Sequence, residues 1–393
     1  MAETEQRNQV LILCNTKSDY FSKLLLNSIR HILPESSMLE VTRKAFPDGE
    51  RYYRIEVDNQ LALFGKDCIF VASLLDDDDY MEFYRIAYTL DQLGARSRIF
   101  VIPYLGCAWL NEDLQHGEVS YLKANAQLFS AITTSGFGNS FLFMDLHHVQ
   151  FLHYLEGSTL HVELQSYAAL SQAMEENGFF SSDFMFASAD LGRVKTIDLW
   201  SKKYKTDVAF VRKEPDPVDG TTRTSVIGQV KNKNVIIYDD MIRSGRTILA
   251  ATHALLEEGA LSVRVVASHL CCSEKTIQQL IASPITHIIC TNSHPTTQSP
   301  LINDRFTIVD VTPLFSYAVN QILRPNISPT LDEMQPFFEI ERAMSAFSYR
   351  TPSPAAGTFY APQASRVPAT ESVPFQVGLQ QYTPTQQRTT GHD

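Results

Sequence analysis

The segment VIIYDDMIRSGRTIL, Val235–Leu249, holds the densest set of reactive side chains in this 393-residue chain. An apolar run ends in two carboxylates, Asp239 and Asp240. A short loop through Arg243, Ser244 and Gly245 follows, then helical spacing from Arg246 and Thr247 onward. Backbone N–H groups at such a loop and helix start can hold a phosphate. Gly245 permits close backbone approach, Ser244 and Thr247 add hydroxyl donors, and Arg246 offers a guanidinium to pair with a phosphate. The two acids stand where ribose hydroxyls or a magnesium-bound water could be held. An N-capped helix after a strand, with a solvated acidic pair, would use the same residues.

Two other segments carry chemistry of a complementary kind. In FPDGE, Phe46–Glu50, the Phe46 ring can stack on a base, while Asp48 and Glu50 can accept hydrogen bonds from its amino group. The same five residues also suit a plain Pro-Asp-Gly turn between strands. In FMDLHHVQFLHYLEG, Phe143–Gly157, Asp145 and His147 close an apolar run, an arrangement that suits a magnesium site, directly or through water. A structural histidine is the alternative there.

Elements able to position these groups are legible as short apolar runs alternating with amphipathic stretches. Strands are expected at Val10–Asn15, Cys68–Ser73, Arg98–Tyr104, Ser140–His147, Phe184–Asp190, Asp207–Lys213, Val235–Asp240, Val263–His269 and His287–Asn292. Helical spacing appears in Tyr20–Leu33, Tyr80–Ala95, Leu160–Gly178 and Thr247–Ala260. Continuous apolar strands between helices argue for parallel sheets covered on both faces. Ligands then bind beyond the carboxyl ends of the strands, where Asp145, His147, Asp190, Lys213, Asp239 and Asp240 fall. One sheet does not comfortably hold every strand, so the chain divides into residues 8–155 and 156–325. The expected fold is α/β, two mainly parallel sheets flanked by helices. From Tyr349 the chain turns rich in Pro, Thr, Ser and Gln, and 349–393 reads as a disordered tail.

Composition narrows the class. The net charge of -11 argues against general nucleic-acid binding through a basic surface. No run of about 18 apolar residues marks a membrane span, and the polar start MAETEQRNQV lacks a signal peptide's apolar core. The six cysteines show no metal-ligand spacing and read as buried free thiols of a cytoplasmic protein.

The Val235–Leu249 segment resembles the phosphoribosyl-diphosphate motif shared by type I phosphoribosyltransferases and ribose-phosphate diphosphokinases. FPDGE resembles the ATP-contacting segment of the diphosphokinases and decides between the two. VIPYLG (Val101–Gly106), the MDLH segment, FASADLGRVK (Phe186–Lys195), DVAFVRK and TNSHP (Thr291–Pro295) follow in the family's order. The resemblance covers about residues 8–325. Its wording is similar to the plant-type class II members, from GEVSYLKANAQLFSAI and from RSGRT in place of DTGGT.

The resemblance implies two phosphoribosyltransferase-like domains, ATP on the first and ribose 5-phosphate on the second. It implies transfer of diphosphate from ATP to ribose 5-phosphate, giving phosphoribosyl diphosphate and AMP. Phe46, Asp48 and Glu50 would contact ATP. Asp190, Asp239, Asp240, Arg243, Ser244, Gly245, Arg246 and Thr247 would hold ribose 5-phosphate. His147 and Asp190 would serve Mg2+, and Lys213 with Arg212 would neutralise the transferring group. A homo-oligomer, or a hetero-oligomer with paralogues, is implied, with FPDGE often serving a neighbouring subunit.

Departures from the family's pattern stand beside these matches. Where the family has YARQDR the chain reads CAWLNED, Cys107–Asp113, and acids Glu214 and Asp216 follow Lys213. Arg246 and Arg193 replace small residues, and Asp76–Asp79 form an acidic run that suits a solvated helix start. These motivate a second reading, a catalytically impaired ligand-binding or regulatory paralogue. A phosphoribosyltransferase acting on a base is the third.

Overall fold

A computed structural model describes residues 10–106, 117–134, 136–180, 183–189, 194–215 and 222–323. Asp190, Arg193, Asp216, the CAWLNED segment and the Tyr349–Asp393 tail lie outside the described residues.

The first half opens with β1 (Val10–Cys14), α1 (Asp19–Arg30) and β2 (Ser37–Met38). A hairpin of β3 (Val41–Ala45) and β4 (Arg51–Ile55) follows, then β5 (Asp67–Val71) and α2 (Asp77–Gln92). Next come β6 (Ser97–Ile102), α3 (Tyr121–Ser130), β7 (Asn139–Met144), α4 (Gln150–His153) and β8 (Thr159–Leu164). Six of these strands form one parallel sheet in the order β2-β1-β5-β6-β7-β8. Period-two alternation explains why its central strands are buried throughout. Phe70, Phe100, Phe141 and Phe143 face α2 and α3. Ile69, Val71, Ile99, Val101, Leu142 and Met144 face α1. Both faces of these strands are therefore apolar, the pattern expected of a covered parallel sheet.

The second half runs through α5 (Tyr167–Glu176), β9 (Phe184–Ser188), α6 (Val194–Tyr204), β10 (Val208–Pro215) and β11 (Thr222–Ile227). It continues with β12 (Asn234–Ile242), α7 (Arg246–Glu257), β13 (Ser262–Leu270), α8 (Glu274–Ala282), β14 (Ile285–Thr291), β15 (Phe306–Val309) and α9 (Thr312–Leu323). The sheet order is β11-β10-β9-β12-β13-β14-β15, parallel except for β10 with β11. The order reverses between β9 and β12, and such a reversal opens a crevice beyond the strand ends. The Val235–Leu249 segment crosses that point.

Three departures from the sequence reading have physical causes. Leu160–Gly178, expected as one helix, is β8, a break at Gln165–Ser166, and α5. In TLHVEL the helical and alternating patterns overlap, and parallel pairing with β7 decides for the strand. The first sheet therefore takes in residues assigned after position 155. The chain also returns at its far end, where Leu314, Phe315 and Val319 of α9 join the core around Phe21 and Leu25. Finally, the acidic run does start a helix, with Asp76 accepting from the Asp79 N–H, but Asp79 itself is buried. Its carboxylate accepts from the Leu75 N–H at 3.0 Å, and burial raises its pKa to about 6.

Candidate active site between the two sheets

β12 carries both acids, Asp239 half-buried and Asp240 buried, and runs two residues past the expected end at Asp240, because Met241 and Ile242 still pair with β13. The Asp240 N–H donates to the Asp239 carboxylate at 2.9 Å. The chain then turns through exposed Arg243 and Ser244 to Gly245, whose φ of +68° lies in the left-handed region. An added Cβ there would stand 3.0 Å from Thr276 Cγ2, so both backbone and space call for glycine. α7 begins at Arg246 with no side-chain cap. The Arg246 N–H donates to Ser244 Oγ at 3.4 Å, which sets that hydroxyl against the first turn of the helix, the part of a helix at which an anion can be held.

His147 reaches this loop from the other sheet. Its Nδ1 lies 2.6 Å from Asp240 Oδ2. A cavity of about 390 Å³ opens alongside, lined by Tyr104, His147, Met241, Arg243, Cys271 and His294 among others. Met241, Cys271 and His294 were given no role from the sequence. His294 sits within TNSHP and Tyr104 within VIPYLG, so the segments signalled the place without the role. The Tyr104 ring packs edge-on against His294, centroids 4.6 Å apart. Burial, together with the charges of His269 and Lys17, lowers the His294 pKa to about 3. Burial raises Cys271 to about 11 against the opposing hydrogen bond of Tyr104. A thiol so protonated is a poor nucleophile.

The FPDGE segment is the tip of the β3–β4 hairpin. The Phe46 N–H donates to the Glu50 carbonyl at 2.8 Å, and the Glu50 N–H donates to Asp48 Oδ1 at 3.0 Å. Gly49 supplies φ +92°. The turn chemistry is thus as drawn from sequence, and it leaves Phe46 47% exposed, edge-on to Tyr52. Asp48 and Glu50 are also exposed. None of the three lines the cavity. At the hairpin's base, Arg43 Nε donates to Glu82 Oε1 at 2.7 Å, and a further Arg43 N–H donates to the Cys14 carbonyl. Glu82 also accepts from the Thr16 N–H and hydroxyl. This buried cluster ties the hairpin to the ends of β1 and α2.

Arg212 and Lys213 lie on a two-stranded arm. β10 pairs with β9 only as far as Phe210, whereas its pairing with β11 continues to Pro215. Arg212 stands opposite Ser225, and Lys213 opposite Thr224. Arg212 is exposed on this arm.

Two covered sheets with a glycine loop and helix start at the second sheet's crossover define a phosphoribosyltransferase-like α/β protein, built twice. A solved structure, phosphoribosylpyrophosphate synthetase from Mycobacterium smegmatis, shares the fold. The TM-score is 0.68 at 22% identity, over 81% of this chain and 100% of that one. Residues 11–132 match the N-terminal domain of ribose phosphate pyrophosphokinase, and 207–329 match the phosphoribosyl synthetase-associated domain. A ribose-phosphate pyrophosphokinase of Nostoc sp. is 30% identical over 271 residues, 67% of this chain and 76% of that protein. That of Sulfolobus acidocaldarius is 28% identical over 281 residues, 70% and 90% of the two chains. The chain belongs to the ribose-phosphate pyrophosphokinase family.

Proposed function

We propose that this protein transfers diphosphate from ATP to ribose 5-phosphate, giving phosphoribosyl diphosphate and AMP. The carrying observation is the Asp239–Thr247 loop at the sheet crossover, with His147 set against it from the other sheet. The 5-phosphate rests on the N–H groups and hydroxyls around Ser244, Gly245 and Thr247, with Arg243 and Arg246 beside them. The carboxylates of Asp239 and Asp240, with Asp190, hold the ribose hydroxyls. The ribose 1-hydroxyl then attacks the β-phosphorus of ATP, and the bond from that phosphorus to the α–β bridging oxygen breaks.

Catalysis of this type is mostly positioning and charge neutralisation. Lys213 and Arg212, carried on the β10–β11 arm, supply positive charge to the transferring group. Phe46, Asp48 and Glu50 take the adenine. Their exposed hairpin lines no part of this cavity, which supports a homo-oligomer, or an assembly with paralogues, in which the hairpin serves a neighbouring site. Among the described residues no helix is long and apolar enough to cross a membrane, and the proposed setting is the cytoplasm.

Mg2+ is the metal this reading requires. Among the described residues no three His, Cys, Asp or Glu side chains converge on one point. The pair at His147 and Asp240, beside Asp239, fits an ion that takes few protein ligands and completes its shell with water and phosphate oxygens. His147, Asp240 and Asp190 would hold it, and when bound it would offset phosphate charge. Purified protein with ATP, Mg2+ and ribose 5-phosphate should yield AMP and phosphoribosyl diphosphate in equal amounts by 31P NMR. Binding of ribose 5-phosphate without AMP would instead assign a regulatory ligand-binding protein.

A further inference from the structure

The residues that aim His147 lie behind it. Asp145 has φ +37°, a left-handed conformation that a non-glycine residue keeps only when its surroundings hold it. Its N–H donates to the Leu164 carbonyl at 3.0 Å. Its carboxylate accepts from the Ser166 N–H, 3.2 Å to each oxygen, and from the Ser166 hydroxyl. Its carbonyl lies 3.2 Å from Nε2 of His269, a buried residue of β13 in the other sheet. A carbonyl only accepts, so Nε2 carries the proton, and Nδ1, 2.7 Å from Ser293 Oγ, accepts in turn. Ser166 and Ser268 hydroxyls, 3.2 Å apart, add a second bridge between the sheets. The next N–H, of Leu146, donates to Glu163 at 2.8 Å.

We propose that Asp145, Ser166 and His269 are positioning residues that hold the turn before His147 in its left-handed form and so fix the pairing of His147 with Asp240. This rests on the reading of His147 and Asp240 as the metal and substrate site. Aspartate is one of the few non-glycine residues that visit the left-handed form, and these contacts select that form at Asp145. Without these contacts Asp145 relaxes to negative φ, and the two bonds that follow it swing His147 away from Asp240. Because the contacts come from both sheets, His147 is aimed only while the sheets keep their relative placement.

The test uses the full chain, with 15N-labelled histidine and with Mn2+ alone as the metal probe. His269→Phe and Asp145→Ala remove the holds. His269→Gln keeps an amide donor for the Asp145 carbonyl, and Asp145→Asn keeps an acceptor in a residue that tolerates positive φ. The first two should move the His147 ring-nitrogen resonance and weaken Mn2+ by about 10–100-fold, the range for residues behind a ligand. The second two should restore both. Ser166→Ala, one hydroxyl smaller, should shift the same resonance to a lesser degree and serves if the larger changes unfold the chain. An unmoved resonance with wild-type Mn2+ affinity in folded His269→Phe and Ser166→Ala overturns the proposal. His147→Ala separates the two ideas: unchanged Mn2+ binding there removes the site reading, whereas the resonance of the other variants still judges the positioning.

Discussion

His147 and Asp240 are 93 positions apart in sequence and hang from different sheets, yet Nδ1 of one lies 2.6 Å from Oδ2 of the other. Each sheet alone offers half of this pair. Asp240→Asn keeps the size and a hydrogen-bond acceptor while removing the charge. AMP formation in that variant should fall about 100-fold in kcat/KM, the scale on which single electrostatic groups act in such sites. Its thermal midpoint should stay within about 1 °C of wild type, equivalent to under 1 kcal/mol for a chain of this length. Steady-state kinetics and a melting curve read both, and near-wild-type turnover would remove Asp240 from the site.

Gly245→Ala tests the loop proposed to hold the 5-phosphate. The new methyl meets Thr276 Cγ2 at 3.0 Å, and φ +68° is strained for alanine at any spacing. A loss of about 1–2 kcal/mol is expected from the backbone, with KM for ribose 5-phosphate rising more than KM for ATP. Adding Thr276→Ser relieves the contact but not the backbone strain, so recovery should be partial. Complete recovery would show that sterics alone made the glycine necessary.

The loop was legible because its chemistry is local. Two acids, a glycine and a helix start fall within nine residues of one strand end, and strand and loop need no distant partner to be recognised. The fold class was legible for a similar reason, since wholly apolar strands between helices leave few alternatives to covered parallel sheets. What the sequence hid depends on long-range pairing. TLHVEL satisfies two periodicities, and only the neighbouring β7 makes it a strand. The holds on Asp145 come from Leu164, Ser166 and His269, none of which marks itself in the sequence. His294 and Cys271 become cavity walls only when β13 and β14 end beside Tyr104.

The hairpin's anchor is testable separately from its tip. Glu82 is nearly fully buried, and Arg43 is its charged partner at 2.7 Å. Arg43→Met strands that carboxylate, and about 3 kcal/mol of stability should be lost, as when one member of a buried pair is removed. Arg43→Met with Glu82→Gln should recover much of it, since the glutamine oxygen still accepts from Thr16. Urea denaturation measures the energy. KM for ATP should remain raised in the double variant, because the link from Arg43 to the Cys14 carbonyl is not rebuilt. An ATP KM equal to wild type would uncouple the hairpin's base from nucleotide binding.

Acid stability follows from His294. Burial holds its folded pKa near 3, against an ordinary value of 6.5. Below pH 6.5 the unfolded chain binds a proton that the folded chain does not. Stability is therefore fully present above 6.5 and declines as pH falls toward 3, by up to about 1.4 kcal/mol per pH unit for one group. His269, His161 and His287 are lowered by burial too and act with the same sign. Asp79 acts in the opposite sense. Its folded pKa of about 6 exceeds the ordinary 3.8, so its protonated form favours the fold and stability falls as pH rises between those values. His294→Phe retains an aromatic ring against Tyr104 and removes the titration. Its stability should decline less steeply than wild type between pH 6.5 and 4, while Asp79→Asn should steepen the decline between pH 6 and 4. Urea midpoints across pH 4–8 compare the slopes, and parallel curves for wild type and His294→Phe would show that His294 is not the group that titrates.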